Sequence, residues 1–223
     1  MNQDLKEIII YYSTKTHVDL NKLLIEKSKD GLIASLVDLL TTYINDKNSS
    51  SLREFVTVAT AGYEHNTNKL GYNGYKHASG IGGKTINCEA KPVNINSDDY
   101  EKQKSKKRLN GQGNFTDYTP ERLTKDLKEN LNMLSSGFID GELQYIIEYP
   151  FNALYDRLKT QLDKHFKNKT REKGTYLRSA SFTFTHYSDN KKLKLIYLNR
   201  ASILENEKYF NKKFFQFLKN KIT

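Results

Sequence analysis

Residues 82–93, Gly-Gly-Lys-Thr-Ile-Asn-Cys-Glu-Ala-Lys-Pro-Val, constrain the fold of this chain more than any other stretch. Two glycines lead into the run and a proline closes it. Between them Ile86, Cys88 and Ala90 alternate with Thr85, Asn87, Glu89 and Lys91, the period-2 pattern of a half-buried strand. Side chains two apart on a strand share a face, so Glu89 and Lys91 project side by side. Cys88, the only cysteine, falls on the apolar side as a small core residue, and a lone cysteine excludes both an intrachain disulfide framework and a multi-cysteine zinc site.

The 223 residues suffice for one domain with a substantial core. Apolar residues make up 37% and charged residues 28%, the balance of a globular protein with a polar surface. No apolar run approaches the roughly 18 residues that span a bilayer, and the first thirty residues lack the features of a signal peptide, so a cytoplasmic protein without a membrane partner is expected. A formal charge of +10 and a pI near 9.4 imply attraction to a polyanion, of which nucleic acid is the commonest.

Periodicity along the chain predicts a mixed α/β domain. Residues 4–12 form a short helix or strand. Leucines at helical spacing give two helices over about 19–29 and 31–46. Residues 53–61 are rich in β-branched and aromatic side chains and read as a strand. Residues 63–83 suit a functional loop or irregular hairpin leading into the strand of Glu89. A polar, charge-dense segment follows over 94–113. Thr119-Pro120-Glu121 opens a helix to about Met133, a unit that Gly137 ends. Residues 143–148 make a strand that Pro150 stops, 151–167 an amphipathic helix, 178–187 and 192–199 a β-hairpin, and 205–222 a basic aromatic helix.

A strand, a glycine-rich hairpin, a strand ending in Glu-x-Lys, a helix and another strand together resemble the PD-(D/E)XK nuclease core of type II restriction endonucleases. The resemblance covers about 53–166 of a single domain, with 1–50 as an N-terminal helical part and 174–223 as a C-terminal hairpin and helix. Its strongest local matches are Leu70-Gly-Tyr-Asn-Gly-Tyr75, Glu89-Ala-Lys-Pro92, Leu109-Asn-Gly-Gln-Gly-Asn-Phe-Thr-Asp117, Ser136-Gly-Phe-Ile-Asp-Gly141 and Tyr145-Ile-Ile-Glu-Tyr-Pro-Phe151.

The resemblance implies a Mg2+-dependent endonuclease that hydrolyses double-stranded DNA at a palindromic site as a homodimer, with a cognate DNA methyltransferase protecting the same site. Glu89 would be a metal ligand, the Ala90 carbonyl a further oxygen donor, and Lys91 the group that positions water or offsets charge. The family's first acid belongs in the hairpin, where this chain has Asn73. Either Asn73 stands at that position in an inactivated copy, or Glu64 supplies the carboxylate, with Glu26 a more distant source. For DNA contacts the loop Asn110, Gly111, Gln112, Gly113, Asn114 and Thr116 comes first, because amide side chains read adenine edges and exposed glycine amides reach phosphates. Lys104, Lys106, Lys107, Arg108, Lys167, Lys169, Arg171 and Lys173 are candidate phosphate contacts. In the hairpin, Tyr72, Lys76 and His77 are further DNA candidates, Tyr63 and Tyr75 could stack, and His65 flanks the site. The two rival readings are a non-catalytic DNA-binding protein on a degenerate nuclease fold and a structure-specific repair or junction nuclease.

Overall fold

A computed structural model of the chain describes residues 1–45, 50–66, 71–77, 84–102, 106–129, 131–167 and 174–222. Four helices come first: α1 (Gln3–Thr14), α2 (His17–Glu26), α3 (Lys29–Asn45) and α4 (Ser50–Thr60). Asn2 caps α1 by accepting from the Leu5 amide at 2.7 Å, and Thr16 caps α2 by accepting from Asp19 at 3.2 Å. Residues 4–12 are therefore helical. So is the expected strand over 53–61, which lies within α4. β-Branched residues lose only tenths of a kcal/mol in a helix, and burying Phe55, Val56 and Val58 against the sheet outweighs that. Thr57 completes the contact, its hydroxyl 2.6 Å from that of Ser136.

The strands follow as β1 (Glu64–His65), β2 (Gly74–His77) and β3 (Thr85–Ile95), then α5 (Ser97–Lys102), β4 (Gly113–Tyr118), α6 (Pro120–Glu129), β5 (Asn132–Ile139) and β6 (Glu142–Pro150). A 3-10 turn at Phe151–Leu154 leads into α7 (Tyr155–Phe166), followed by β7 (Leu177–Phe182), β8 (Lys194–Leu198), α8 (Arg200–Glu205) and α9 (Lys212–Lys219). The central sheet has the order β1-β2-β3-β5-β6-β8. Only the β3–β5 pair is parallel. The fold is mixed α/β, with a mostly antiparallel central sheet flanked by helices.

Three expectations need correction. The helix predicted to run to Met133 ends at Glu129, and residues 132–139 are the fully engaged strand β5. Its two serines look like a turn in sequence, but Ser135 is bonded to the Tyr149 hydroxyl at 2.8 Å and Ser136 to Thr57, so both are buried without loss of hydrogen bonding. Next, β7 and β8 are not a hairpin. β7 pairs with β4 in a second small sheet and β8 with β6 in the central one, because a 3-10 turn at Phe184–His186 swings the chain between them. Finally, the helix expected over 205–222 is a 3-10 turn at Glu207–Tyr209 followed by α9, with the separate helix α8 ahead of it.

Both faces of the central sheet are covered. Phe55, Val58, Cys88, Ala90, Leu134 and Ile146 pack on the α4 side, while Met133, Tyr145, Ile147 and Tyr149 pack on the other side with Phe115, Leu158, Phe182 and Phe214. This explains why residues 143–149 are buried continuously, including Gln144 and Glu148. Tyr63 donates to Glu148 at 2.6 Å, and Lys76 and Lys194 approach it to 3.4 and 3.9 Å, so the buried carboxylate is matched.

Candidate active-site cleft

The cleft forms where β2 stops short of β3. Gly74 is the last residue paired with β3, opposite Cys88. Immediately before it, at Asn73, the chain diverges from β3, although the Asn73 amide still donates to the Cys88 carbonyl at 2.9 Å. Its side chain takes over the ladder. Oδ1 accepts from the Ala90 amide at 2.8 Å, and Nδ2 donates to Glu54 Oε2 at 3.1 Å. The Ala90 carbonyl lies on the same edge of β3 as the amide that Asn73 captures.

On the neighbouring residues of β3, Glu89 and Lys91 point to the opposite face from Cys88 and Ala90. Lys91 Nζ donates to Glu89 Oε1 at 2.7 Å, with the two side chains only 17% and 10% exposed. The Lys91 ammonium also sits 4.5 Å from the centre of the Phe115 ring. This pair forms the floor of a cleft of about 1340 Å³. One wall is built from α1, α4 and the β1–β2 hairpin, including Glu54, Glu64, Tyr72 and Asn73. The other is built from β4 and α6, including Phe115, Thr116, Arg122 and Asp126.

Electrostatics tie the far wall to the floor. Asp126 is buried and accepts from the Tyr118 hydroxyl at 3.0 Å, with Arg122 Nε at 3.8 Å. Burial pushes its carboxyl up, Tyr118 and Arg122 pull it back in part, and the charge of Glu89 pushes it up further. His65 is pushed down, first by burial and then by Lys6, and stacks edge-on against Phe55 at 5.6 Å. The Cys88 thiol is pushed up by burial, which removes it as a nucleophile.

Of the residues singled out from sequence, Glu89, Lys91, Asn73, Glu64, Tyr63, His65, Tyr72 and Thr116 meet at this cleft. Glu64 is exposed and takes a hydrogen bond from the Tyr75 hydroxyl. Lys76 turns away to Glu148 and lies 3.9 Å from the Tyr63 ring centre, and Tyr63 itself is buried. His77 is exposed at the end of β2 beside Tyr75. Lys106 pairs with Glu101 at 3.0 Å, Arg108 donates to the Tyr100 hydroxyl at 3.3 Å, and Lys107 is exposed nearby, none of them lining the cleft. Lys167 is exposed beyond α7 and Glu26 at the end of α2. Lys104, Lys169, Arg171 and Lys173 lie outside the described residues.

The expected polar loop at 110–116 is instead a buried bend leading into β4. Gly111 has φ +63° and is buried. Its amide donates to the Tyr145 hydroxyl at 3.3 Å and its carbonyl accepts from that of Tyr187 at 2.8 Å. Gln112 closes the bend by accepting from the Asn110 amide at 2.6 Å and donating to the Arg108 carbonyl at 3.0 Å. A β-carbon on Gly113 would strike the Phe182 ring and come within 2.9 Å of the Lys91 β-carbon. The glycines thus admit protein side chains, and it is Asn114 and Thr116, on the exposed face of β4, that remain open to a ligand.

Sequence reading missed Glu54, Phe115, Arg122 and Asp126. Glu54 was hidden by the strand assignment of its segment. The Arg122–Asp126 pair carried an i,i+4 signal on the predicted helix, but only the packing of α6 beside β3 brings it to Glu89.

Among the described residues no three His, Cys, Asp or Glu side chains converge on one point. The donor set nevertheless fits Mg2+, which keeps several waters and takes one or two carboxylates together with substrate phosphates. Glu89 would be that carboxylate, with the Ala90 carbonyl and the Asn73 amide oxygen, which accepts from the Ala90 amide, as the neutral hard oxygens the cleft offers. No family model matches this chain, and no curated protein matches it.

Proposed function

We propose that this protein is a Mg2+-dependent, sequence-specific double-stranded DNA endonuclease of the type II restriction class, built on a PD-(D/E)XK core and acting as a homodimer at a short palindromic site. The reading rests above all on the Glu89–Lys91 pair, held 2.7 Å apart on the floor of an open cleft in a strongly basic chain. Strand order supports it: the antiparallel set β1-β2-β3, with β5 running parallel beside β3 and α4 preceding the hairpin. When bound, Mg2+ supplies Lewis-acid polarisation of the scissile phosphate and an acidified water. Glu89 would hold that ion, with the Ala90 carbonyl and Asn73 as further neutral oxygen donors. Lys91 orients the attacking water and offsets the charge that develops on the phosphate.

Incubation of a DNA of known sequence with the protein and Mg2+, with cut ends mapped at nucleotide resolution, tests the reading. Discrete fragments with one common end sequence are expected, and their loss in Glu89→Ala and Lys91→Ala. Cleavage by both variants at the wild-type rate would exclude this site.

A second reading is a non-catalytic DNA-binding protein, favoured by Asn73, whose amide bonds both Glu54 and the Ala90 backbone where the family pattern has an acid. Binding without cutting, in Mn2+ as well as Mg2+, would establish it. Cutting confined to junctions would point to a repair nuclease.

A further inference from the structure

Arg122 belongs to the first turns of α6 and reaches over the cleft wall formed by β4. Thr119 Oγ1 caps its backbone amide at 3.2 Å, Nη1 donates to the Thr116 carbonyl at 3.2 Å, and Nε lies 3.8 Å from Asp126 Oδ2. Its guanidinium carbon is 5.7 Å from the centre of the Phe115 ring and 5.4 Å from that of Tyr118. These contacts fix the plane of the guanidinium. They leave Nη2 without a hydrogen-bond partner among the described residues.

The same Phe115 ring carries the Lys91 ammonium at 4.5 Å. Two cations are therefore held against one buried ring, each with a carboxylate nearby. Lys91 is matched by Glu89 at 2.7 Å, whereas the Asp126 carboxylate lies 3.8 Å from Arg122 and is itself engaged by the Tyr118 hydroxyl. The charge of Arg122 is the less compensated of the two. Lys125, one turn on, is a weaker candidate because it already approaches Glu129 at 3.7 Å and its side chain is freely solvated.

We propose that Arg122 is a phosphate-binding residue of this cleft, gripping a backbone phosphate that flanks the one over Glu89 and Lys91 and so setting the DNA strand in register with the reaction. A planar fork with a free terminal amine suits a phosphodiester oxygen better than an ammonium would. The inference rests on the DNA-endonuclease reading for the identity of the polyanion. It adds a contact that the Glu-x-Lys strand does not contain.

The test is equilibrium binding of a fluorescent DNA duplex to the full chain, with Ca2+ replacing Mg2+, across a range of salt concentrations. Arg122→Gln is expected to weaken binding about tenfold, the loss of one charge-assisted hydrogen bond, and to reduce the slope of log K against log salt by about 0.9. Arg122→Lys should restore the slope and only part of the affinity. Circular dichroism and melting temperature establish that each variant is folded, and if Arg122→Gln is not, the Arg122→Lys affinity loss decides alone. An unchanged slope and affinity in folded Arg122→Gln, with wild-type binding intact, would overturn this inference and leave the nuclease reading standing. A wild-type chain that binds no DNA would overturn both.

Discussion

Asn73 accepts the Ala90 amide hydrogen at 2.8 Å and donates to Glu54 Oε2 at 3.1 Å, so one side chain joins the helix before the hairpin to the strand that carries Glu89. The position that the family pattern gives to an acid is here a structural clamp, and its amide nitrogen is the half of the clamp that an aspartate cannot supply.

Asn73→Asp should therefore lower stability in EDTA by about 1–3 kcal/mol, since the new carboxylate faces Glu54 where an amide donor stood. Added Mg2+ should raise the melting temperature of the variant more than that of the wild type, because the cation bridges the added charge. A variant as stable as wild type in EDTA would disprove the clamp. Cleavage discriminates further: a rise marks position 73 as the missing metal acid, and no change leaves that part to Glu64.

The loop of Gly111 and Gly113 offers a contrast between two neighbouring substitutions. Gly113→Ala should cost about 1–3 kcal/mol through overpacking against Phe182, and should reduce activity well below what unfolding explains, because the added methyl also displaces Lys91. Asn114→Ala, on the exposed face of the same strand, should change stability by less than about 0.5 kcal/mol. Turnover measured far below both melting temperatures checks this. Activity of Gly113→Ala equal to that of the wild type would show that Gly113 does not position Lys91.

Asp126 gives a pH signature. Its carboxyl is held above the ordinary 3.8, so the folded state binds the proton more tightly than the unfolded one. Ionised Asp126 then opposes folding above its folded-state pKa, and that opposition fades as pH falls from there toward 3.8. Asp126→Asn keeps the acceptor for Tyr118 and removes the charge. It should raise the melting temperature at pH 7, with the gain shrinking steadily on acidification. A gain independent of pH would rule out the buried charge as its source.

If the protein acts as the proposed homodimer, helix α3 is the surface expected to carry the contact. Ile33, Leu36, Leu40 and Tyr43 are 50–62% exposed and recur at intervals of three and four, the spacing of a helix–helix seam. Residues 30–46 contain none of the 36 lysines and arginines, so two copies of a chain of charge +10 can meet there without like-charge repulsion. A second copy related by a two-fold axis is the expected occupant. Sedimentation should give a dimer for the wild type and a monomer for Leu36→Asp combined with Leu40→Asp. A wild-type monomer at micromolar concentration would exclude this interface.

The sequence by itself determined the strand of Glu89 and Lys91, the neighbouring burial of Cys88, the helices over 17–45 and 155–166, and the strand around Tyr145, because each carries a periodicity or boundary residue that acts locally. What only the tertiary structure decided were the elements whose residues are ambiguous until a partner arrives. Residues 53–60 satisfy either period and become helix because the α4 face of the sheet buries Phe55 and Val58. Residues 132–139 hold two serines and a glycine that mimic a turn until Tyr149 and Thr57 bond the hydroxyls. The far wall of the cleft, Arg122 and Asp126, was beyond sequence for the same reason. Its residues are separated from Glu89 in sequence by α5 and β4, and only the packing of α6 and β4 beside β3 brings the three charges to one cleft.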